Sequence, residues 1–303
     1  MIKKVFSHFP HLEIFSRLIY YKLLRNQSNS RNQTKKNTNI TKLGKKIFLD
    51  YLDSLDINDG DILIVHSAYE PLQPFNLSAS DIVDILTERV GPNGTLVMPA
   101  FRRLTETPQG KTVCNLDSRA VTTGLIPSIF VRKPGVIRSQ YPLNSLAAYG
   151  KHAKDMFNDE LSSDLIHGDK SAWSYCIREN AKILLLGVDP SKTITAVHVA
   201  EDVLLDNWPI KNWYEHKSII LKTGTFESNI DVRVRRQFWS RYMVSEFRTR
   251  WLINGGFLKF KLINNIPFGF IGDSKGMLNL IMKNAETKQK NNMFFRPSKK
   301  HWR

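Results

Sequence analysis

The stretch Ile183 to Glu201, ILLLGVDPSKTITAVHVAE, constrains the fold more than any other part of the chain. An apolar run, Ile183 to Leu186, is closed by Gly187 and the polar turn Asp189-Pro190-Ser191-Lys192, after which apolar residues return at helical spacing. That order is strand, turn, helix. On a helix beginning near Thr195, residues three and six places on share a face, so Thr195, His198 and Glu201 form one stripe. A hydroxyl, an imidazole and a carboxylate then converge just beyond the C-terminal end of a strand, the usual place for a ligand in an open α/β sheet. By residue type alone, a core-facing histidine beside a solvated glutamate fits the same pattern.

The same alternation recurs upstream. A helix from Thr41 to about Leu55 and an Asn58-Asp59-Gly60 turn lead into the apolar strand Ile62 to Val65, which ends at His66-Ser67. Ser78, with Asp81 three places on, is a capping box for a helix through Val90; a Gly91-Pro92-Asn93-Gly94 turn and a strand, Thr95 to Met98, follow. Gly124 to Arg132 gives another helix. Beyond Trp208 short β-rich runs, Ser218 to Lys222 and Phe257 to Leu262, flank a predicted helix from Arg235 to Arg250. These β-α-β units predict an α/β domain with a β-rich elaboration near its C-terminal end.

The charge is unevenly placed. Residues 1 to 46 carry 11 Lys/Arg and the single acid Glu13, residues 287 to 303 carry 6 Lys/Arg and no acid, and the remaining 27 bases and 27 acids cancel. The net +16 therefore belongs to the two ends. A nucleic-acid enzyme would spread its positive field across a folded groove, so the pattern predicts no specific nucleic-acid partner; it suits attraction to an anionic surface, or ends that are merely solvated. Residues 1 to 25 contain a basic amphipathic helix, His11 to Arg25, with Leu12, Phe15, Ile19 and Leu23 on one side. It suits an anionic membrane surface, the protein body or a second subunit, the last implying a homodimer. Residues 26 to 39 have no apolar side chain and read as a flexible linker, which makes residues 1 to 39 dispensable for folding on this reading. The folded body is expected over residues 40 to 286, with a basic tail over 287 to 303. No run of about 18 apolar residues and no secretory signal pattern occurs, and Cys114 and Cys176 lack ligand spacing, so a cytoplasmic, metal-free protein is expected, peripheral to the inner membrane face if the first helix binds lipid.

Four blocks carry a family resemblance: GDILIVHSAYEPL, GPNGTLVMPAF, TTGLIPSIFVRKPGVIRSQYPLNSLAAYG and ILLLGVDPSKTITAVHVAED. In this order they resemble the successive blocks of the aminoglycoside 3-N-acetyltransferase family, from about Thr41 to Glu201 and more weakly to about Lys283. The resemblance implies an α/β/α sandwich and transfer of an acetyl group from acetyl-CoA to an amine of an amino sugar, either an aminoglycoside or a sugar of a cell-surface polysaccharide. It makes Thr195, His198 and Glu201 the active centre. Imidazole suits removal of a proton from a sugar ammonium, and the tetrahedral intermediate needs a donor for its oxyanion. His198 is accordingly the expected base, Glu201 its orienter or the holder of the cationic amine, and Thr195 the oxyanion donor.

By the same resemblance His66, Ser67, Thr123, Gly124, Arg138, Ser139 and Ser145 belong around acetyl-CoA or the cleft. Tyr141 stands where the family commonly carries histidine; it implies a different acceptor or simple packing, since a phenol is no base near neutrality. With Glu201 and Asp202 it is assigned to the acceptor. A polycationic acceptor favours clustered acids, for which Asp164, Asp169, Glu201 and Asp202 are the candidates. A catalytically silent scaffold of the same fold and an anion- or nucleic-acid-binding protein using its basic ends are the alternatives. A cysteine-borne acyl group is disfavoured because neither thiol lies in a recognisable activating context.

Overall fold

The computed structural model describes residues 2–23, 42–286 and 295–302. Two N-terminal helices, α1 (Ile2–His8) and α2 (Pro10–Leu23), precede α3 (Lys45–Asp53), β1 (Ile62–Ser67), α4 (Ala79–Val90) and β2 (Thr95–Pro99). The hairpin β3 (Leu104–Glu106) and β4 (Thr112–Asn115) follows, then α5 (Leu125–Phe130), β5 (Ile137–Arg138), β6 (Leu146–Gly150), α6 (Ala172–Arg178) and β7 (Lys182–Leu186). The remainder comprises α7 (Pro190–Thr193), α8 (Val199–Leu204), β8 (Tyr214–Thr223), β9 (Phe226–Arg235), α9 (Ser245–Asn254), β10 (Lys259–Ile263), β11 (Ile266–Ile271) and α10 (Ser274–Glu286).

Seven strands form the main sheet in the order β10-β11-β7-β1-β2-β6-β5. The central trio β7-β1-β2 is parallel, as buried strands linked by helical crossovers must be, and the flanking pairs are antiparallel. Alternation along these strands feeds two cores. Leu63, Val65, Leu184 and Leu186 meet α3, α4 and α5 on one face, whereas Ile62, Ile64, Ile183 and Leu185 meet α6, α8, α9 and α10 on the other. The result is an α/β/α sandwich. The Ser78–Asp81 capping box forms in both directions, at 3.0 and 2.8 Å. Thr41, the expected cap of α3, lies outside the described residues; Gly44 precedes that helix.

The C-terminal elaboration is built differently from the expectation. β8 and β9 pair with β3 and β4, inserted after β2, into a second sheet ordered β3-β4-β8-β9, while β10 and β11 complete the main sheet. The helix expected from Arg235 is displaced. Ile230, Val232 and Val234 alternate toward the small core around Cys114 and Ile219, so this segment is strand through Arg235; a 3-10 turn, Gln237–Tyr242, separates it from α9.

Both ends pack on the body more than their composition suggests. Glu13 is buried, and its carboxylate accepts the backbone N–H of Ser245 at 2.9 Å and of Glu246 at 3.2 Å, the first residues of α9. Val244, at the cap position, has no side-chain acceptor, so Glu13 supplies the cap from a distant segment. Lys3 pairs with Asp189 and Arg17 with Glu13. Residues 2–23 thus pack on the body through Lys3, Glu13 and Arg17; the expected linker, 26 to 39, lies outside the described residues. At the other end Phe295 is fully buried against Trp213, and Trp302 bridges to Ile210, so residues 295–302 belong to the packed body and not to a solvated tail.

Candidate active site

The C-terminal ends of β1, β2 and β7 open into one cavity. Its volume is about 280 Å³, and it is lined by Val65, His66, Ser67, Pro99, Phe101, Thr123, Val188, Lys192 and Thr195. The location is the crevice beyond parallel strand ends where α/β sheets bind ligands. Gly187 makes the turn out of β7 possible: its φ is +68°, and a Cβ there would lie 2.9 Å from Ala68 O. Asp189 then caps α7, accepting from Ser191 N at 3.1 Å.

His66 is almost fully buried, and neither its Nε2 nor the Ser67 hydroxyl has a hydrogen-bond partner among the described residues. Burial depresses the His66 imidazole to about 4, so it is neutral at physiological pH. Two unpaired polar atoms at the wall of a cavity fit the amide groups of a pantetheine arm, and exposed Lys192 supplies a cation at the same cavity. Thr123 lines it too, although its hydroxyl donates to Pro99 O at 2.6 Å; Gly124 is the residue before α5.

A second cavity, of about 310 Å³, is lined by Asn144, His167, His198, Glu201, Asp202, Arg233, Arg235, Gln237 and Ser240. The helix expected from Thr195 begins there as a 3-10 turn, Thr195–His198, with Ile194 at its cap position, and continues as α8 from Val199. Thr195 lines the first cavity, its hydroxyl 3.4 Å from Thr193 O, while His198 and Glu201 line the second.

His198 Nδ1 lies 2.5 Å from Glu201 Oε1. A contact this short between a ring nitrogen and a carboxylate requires the proton between them, which leaves Nε2 as the accepting nitrogen. Glu201 is buried and also accepts Trp213 Nε1–H at 3.2 Å; Arg235 Nη1 lies 3.5 Å from the same carboxylate. Burial works to raise the Glu201 carboxyl, but His198 and Arg235 outweigh it and hold the group below its ordinary range. Burial also lowers the His198 imidazole, against the pull of Glu201, so the pair is a neutral base on an ionised carboxylate.

The sequence offered no reason to single out His167 or Arg235. His167 is buried, its ring centroid 5.8 Å from that of His198; Asn144 Nδ2 approaches its Nε2 at 3.0 Å, and Asp202 Oδ2 accepts its backbone N–H at 2.8 Å. Trp173 stands between the cavities, 6.1 Å from the His66 ring and 6.0 Å from the His167 ring. Arg235 emerges from the end of β9, and its guanidinium rests 5.4 Å over the Phe295 ring. A histidine in a His-Gly-Asp turn and an arginine in an alternating strand carry no local signature; a pairing across the fold gives them their place.

The RSxxPxxS block is structural in its contacts. Arg138 donates to Ala100 O at 2.6 Å, Ser118 O at 3.1 Å and Ala120 O at 3.0 Å, and Arg102 returns the brace by donating to Ser139 O at 2.9 Å. Burial brings Arg138 down to about 10. Ser139 donates to the buried Glu160 at 2.7 Å and Ser145 to Ala100 O at 2.9 Å, so neither hydroxyl is presented to the two cavities above. Tyr141 is buried in the core of the small sheet with Cys114, Ile219 and Val232. Of the acid cluster, Glu201 and Asp202 face the second cavity, Asp164 is ion-paired with Arg233, and Asp169 does not line the cavity. Burial raises both thiols, Cys176 to about 12. Among the described residues no cluster of three potential metal ligands occurs, and no helix is long and apolar enough to cross a membrane.

The fold is an α/β/α sandwich whose parallel strand ends open into a narrow cavity, with a His–Glu pair facing a neighbouring one. Residues 64–249 match the family model for aminoglycoside 3-N-acetyltransferase, and the chain belongs to that family. It is 29% identical over 195 residues to aminoglycoside N(3)-acetyltransferase III of Salmonella sp, covering 58% of this chain and 66% of that protein, just under two thirds of its length. It is 24% identical over 250 residues to an SPbeta prophage-derived aminoglycoside N(3')-acetyltransferase-like protein of Bacillus subtilis, covering 76% and 85%. Among solved structures, aminoglycoside acetyltransferase AAC(3)-IVa superposes with a TM-score of 0.64 at 22% identity, covering 86% of this chain and 93% of that one. A CoASH complex of AAC-IIIb superposes with a TM-score of 0.66 at 20% identity, covering 84% and 98%.

Proposed function

We propose that this protein is an acetyl-CoA-dependent N-acetyltransferase acting on an amine of an amino sugar by direct attack. The observation that carries the reading is the His198–Glu201 pair, with Nδ1 bound to the carboxylate and Nε2 left to accept a proton. In this scheme the thioester arm lies in the first cavity against His66, Ser67 and Thr123, with Thr195 as the side-chain donor for the oxyanion, and the acceptor amine enters from the second. His198 Nε2 takes a proton from the attacking amine as the N–C bond forms; the C–S bond then breaks, and the imidazolium returns that proton to the departing sulfur, so CoA leaves as its thiol and His198 is neutral again. The raised thiols of Cys114 and Cys176 favour a ternary complex over an acyl-enzyme.

Aminoglycosides are the acceptors by family. A second acceptor class is favoured by one observation: the carboxylates of the second cavity are already engaged. Glu201 holds His198, Trp213 and Arg235; Asp202 holds His167 and Tyr214; and Arg233 and Arg235 form part of the wall. The guanidiniums of Arg233, paired with Asp164, and Arg235, beside Glu201, disfavour a polycation there and suit an amino sugar with one amine and an anionic group, such as a nucleotide-linked amino sugar of a surface polysaccharide. Thiol release from acetyl-CoA across aminoglycosides and nucleotide-linked amino sugars tests both. Release with neither class, together with no binding of CoA, would mean a silent scaffold.

A further inference from the structure

We propose that the outer face of α1 and α2 is a docking surface for an anionic lipid bilayer. Ile2, Val5 and Phe9 form one exposed stripe and Leu12, Phe15 and Ile19 a second, each at helical spacing, with Phe9 60% and Phe15 63% exposed. Their exposure is not a missing contact with the body, because the opposite face is already seated. Glu13 and Ile14 are buried, Arg17 Nη2 donates to Ser245 Oγ at 3.1 Å, and Glu13 caps α9. The helices are therefore held with their apolar stripes turned outward, and a contiguous patch of this kind marks an interaction surface.

Charge decides the occupant. Lys4 and His11 are exposed beside the stripes, and residues 1 to 46 carry 11 Lys/Arg with Glu13 as the only acid, which is buried. The surface thus offers aromatic and aliphatic side chains with exposed Lys3 and Lys4 beside them and no exposed acid within α1 and α2, the pattern of a helix that lies in a lipid interface. An isologous contact with a second copy brings α1 and α2, whose Lys3, Lys4 and Arg17 stand against the single buried acid Glu13, face to face with the same helices. Anionic headgroups remove that repulsion.

The test is co-sedimentation of the full chain with phosphatidylcholine vesicles, with and without phosphatidylglycerol, at low and high salt, beside sedimentation velocity without lipid. Binding to the anionic vesicles that weakens with salt is expected, and Phe9→Asp with Phe15→Asp should reduce it about tenfold while leaving the melting temperature unchanged. Lys4→Glu, at an exposed position, should reduce it in the same direction and guards against a folding defect in the double variant. Absence of binding to anionic vesicles, equal binding by the variants, or a lipid-free dimer that the double variant dissolves would each overturn the proposal; the last would assign the face to a second copy.

Discussion

Replacing Glu13 by Ala removes the cap of a helix more than 200 residues away, and the structure gives the scale of the loss. The carboxylate accepts two backbone N–H groups at the start of α9, at 2.9 and 3.2 Å, and Arg17 Nη2 at 2.9 Å. A hydrogen bond to a charged group contributes about 1.5 to 3 kcal/mol, and an N-cap about 1 kcal/mol with the helix dipole included. These terms overlap, so about 3 kcal/mol is expected for Glu13→Ala. Glu13→Gln keeps one acceptor and loses the charge, for about 1 kcal/mol. At about 2 to 4 °C per kcal/mol for a domain of this size, the Ala variant should melt roughly 6 to 12 °C lower. Circular dichroism melts supply the first number, and amide exchange at Ser245 and Glu246 supplies the local one, since those protons lose their acceptor. Unchanged melting together with unchanged protection at Ser245 and Glu246 would refute the cap, and with it the contribution of α2 to the stability of the body.

His198→Ala should lower acetyl transfer by about two to four orders of magnitude with CoA binding nearly intact, measured by thiol release and by calorimetry; wild-type turnover at saturating substrate removes His198 from the mechanism. His66 predicts acid lability. Its imidazole falls from an ordinary 6.5 to about 4 on burial, so the unfolded chain binds the proton first, and stability present above pH 6.5 is lost as the pH falls toward 4. Between pH 7.5 and 4.5 that share is about 2 to 3 kcal/mol, and His66→Asn should melt with a correspondingly weaker pH dependence; an identical dependence contradicts the burial. Cys114→Ala with Cys176→Ala should keep most activity per folded molecule, and initial-rate lines at fixed amine concentrations should intersect. Parallel lines, or labelled acetyl retained on denatured protein, point to an acyl-enzyme instead.

Local chemistry was legible in the sequence, and pairing across the fold was not. The β-α-β units, the Ser78–Asp81 box and the Ile183–Leu186 strand follow from periodicity and capping that act within a few residues. The His198–Glu201 contact was readable because it spans one turn. Where the expectation failed, a remote partner decided. Glu13 reads as a lone acid in a basic helix until α9 offers it two N–H groups, and Arg138, expected around the cofactor or cleft, also braces Ala100, Ser118 and Ala120 while lining a separate cavity of about 470 Å³. Thr195 and His198 share one 3-10 turn, as their spacing implies, yet Thr195 lines the first cavity whereas His198 and Glu201 line the second. Tyr141 followed a family alignment, but its ring completes the small sheet's core, which exists only once β3–β4 meets β8–β9.

Glu201 contributes most after the proton has moved, which separates its effect on kcat from any effect on KM. Before reaction His198 is neutral, lowered by burial, and offers the carboxylate beside it only a dipole. Once Nε2 takes the amine proton, an imidazolium stands 2.5 Å from a buried carboxylate, and that attraction exists only along the reaction path. Glu201→Gln removes it and also misdirects the tautomer. The carboxylate accepts from His198 Nδ1–H and from Trp213 Nε1–H through separate oxygens. A glutamine has one acceptor oxygen; turned to Trp213, it offers its amide N–H to His198 Nδ1 and forces the ring proton onto Nε2, where no base remains. The variant should therefore lose about two to four orders of magnitude in kcat with little change in KM, and the acid limb of its kcat/KM profile should move to lower pH because the charge that raised His198 is gone. A rise in KM at unchanged kcat would show that Glu201 holds the acceptor ammonium and does not serve the base.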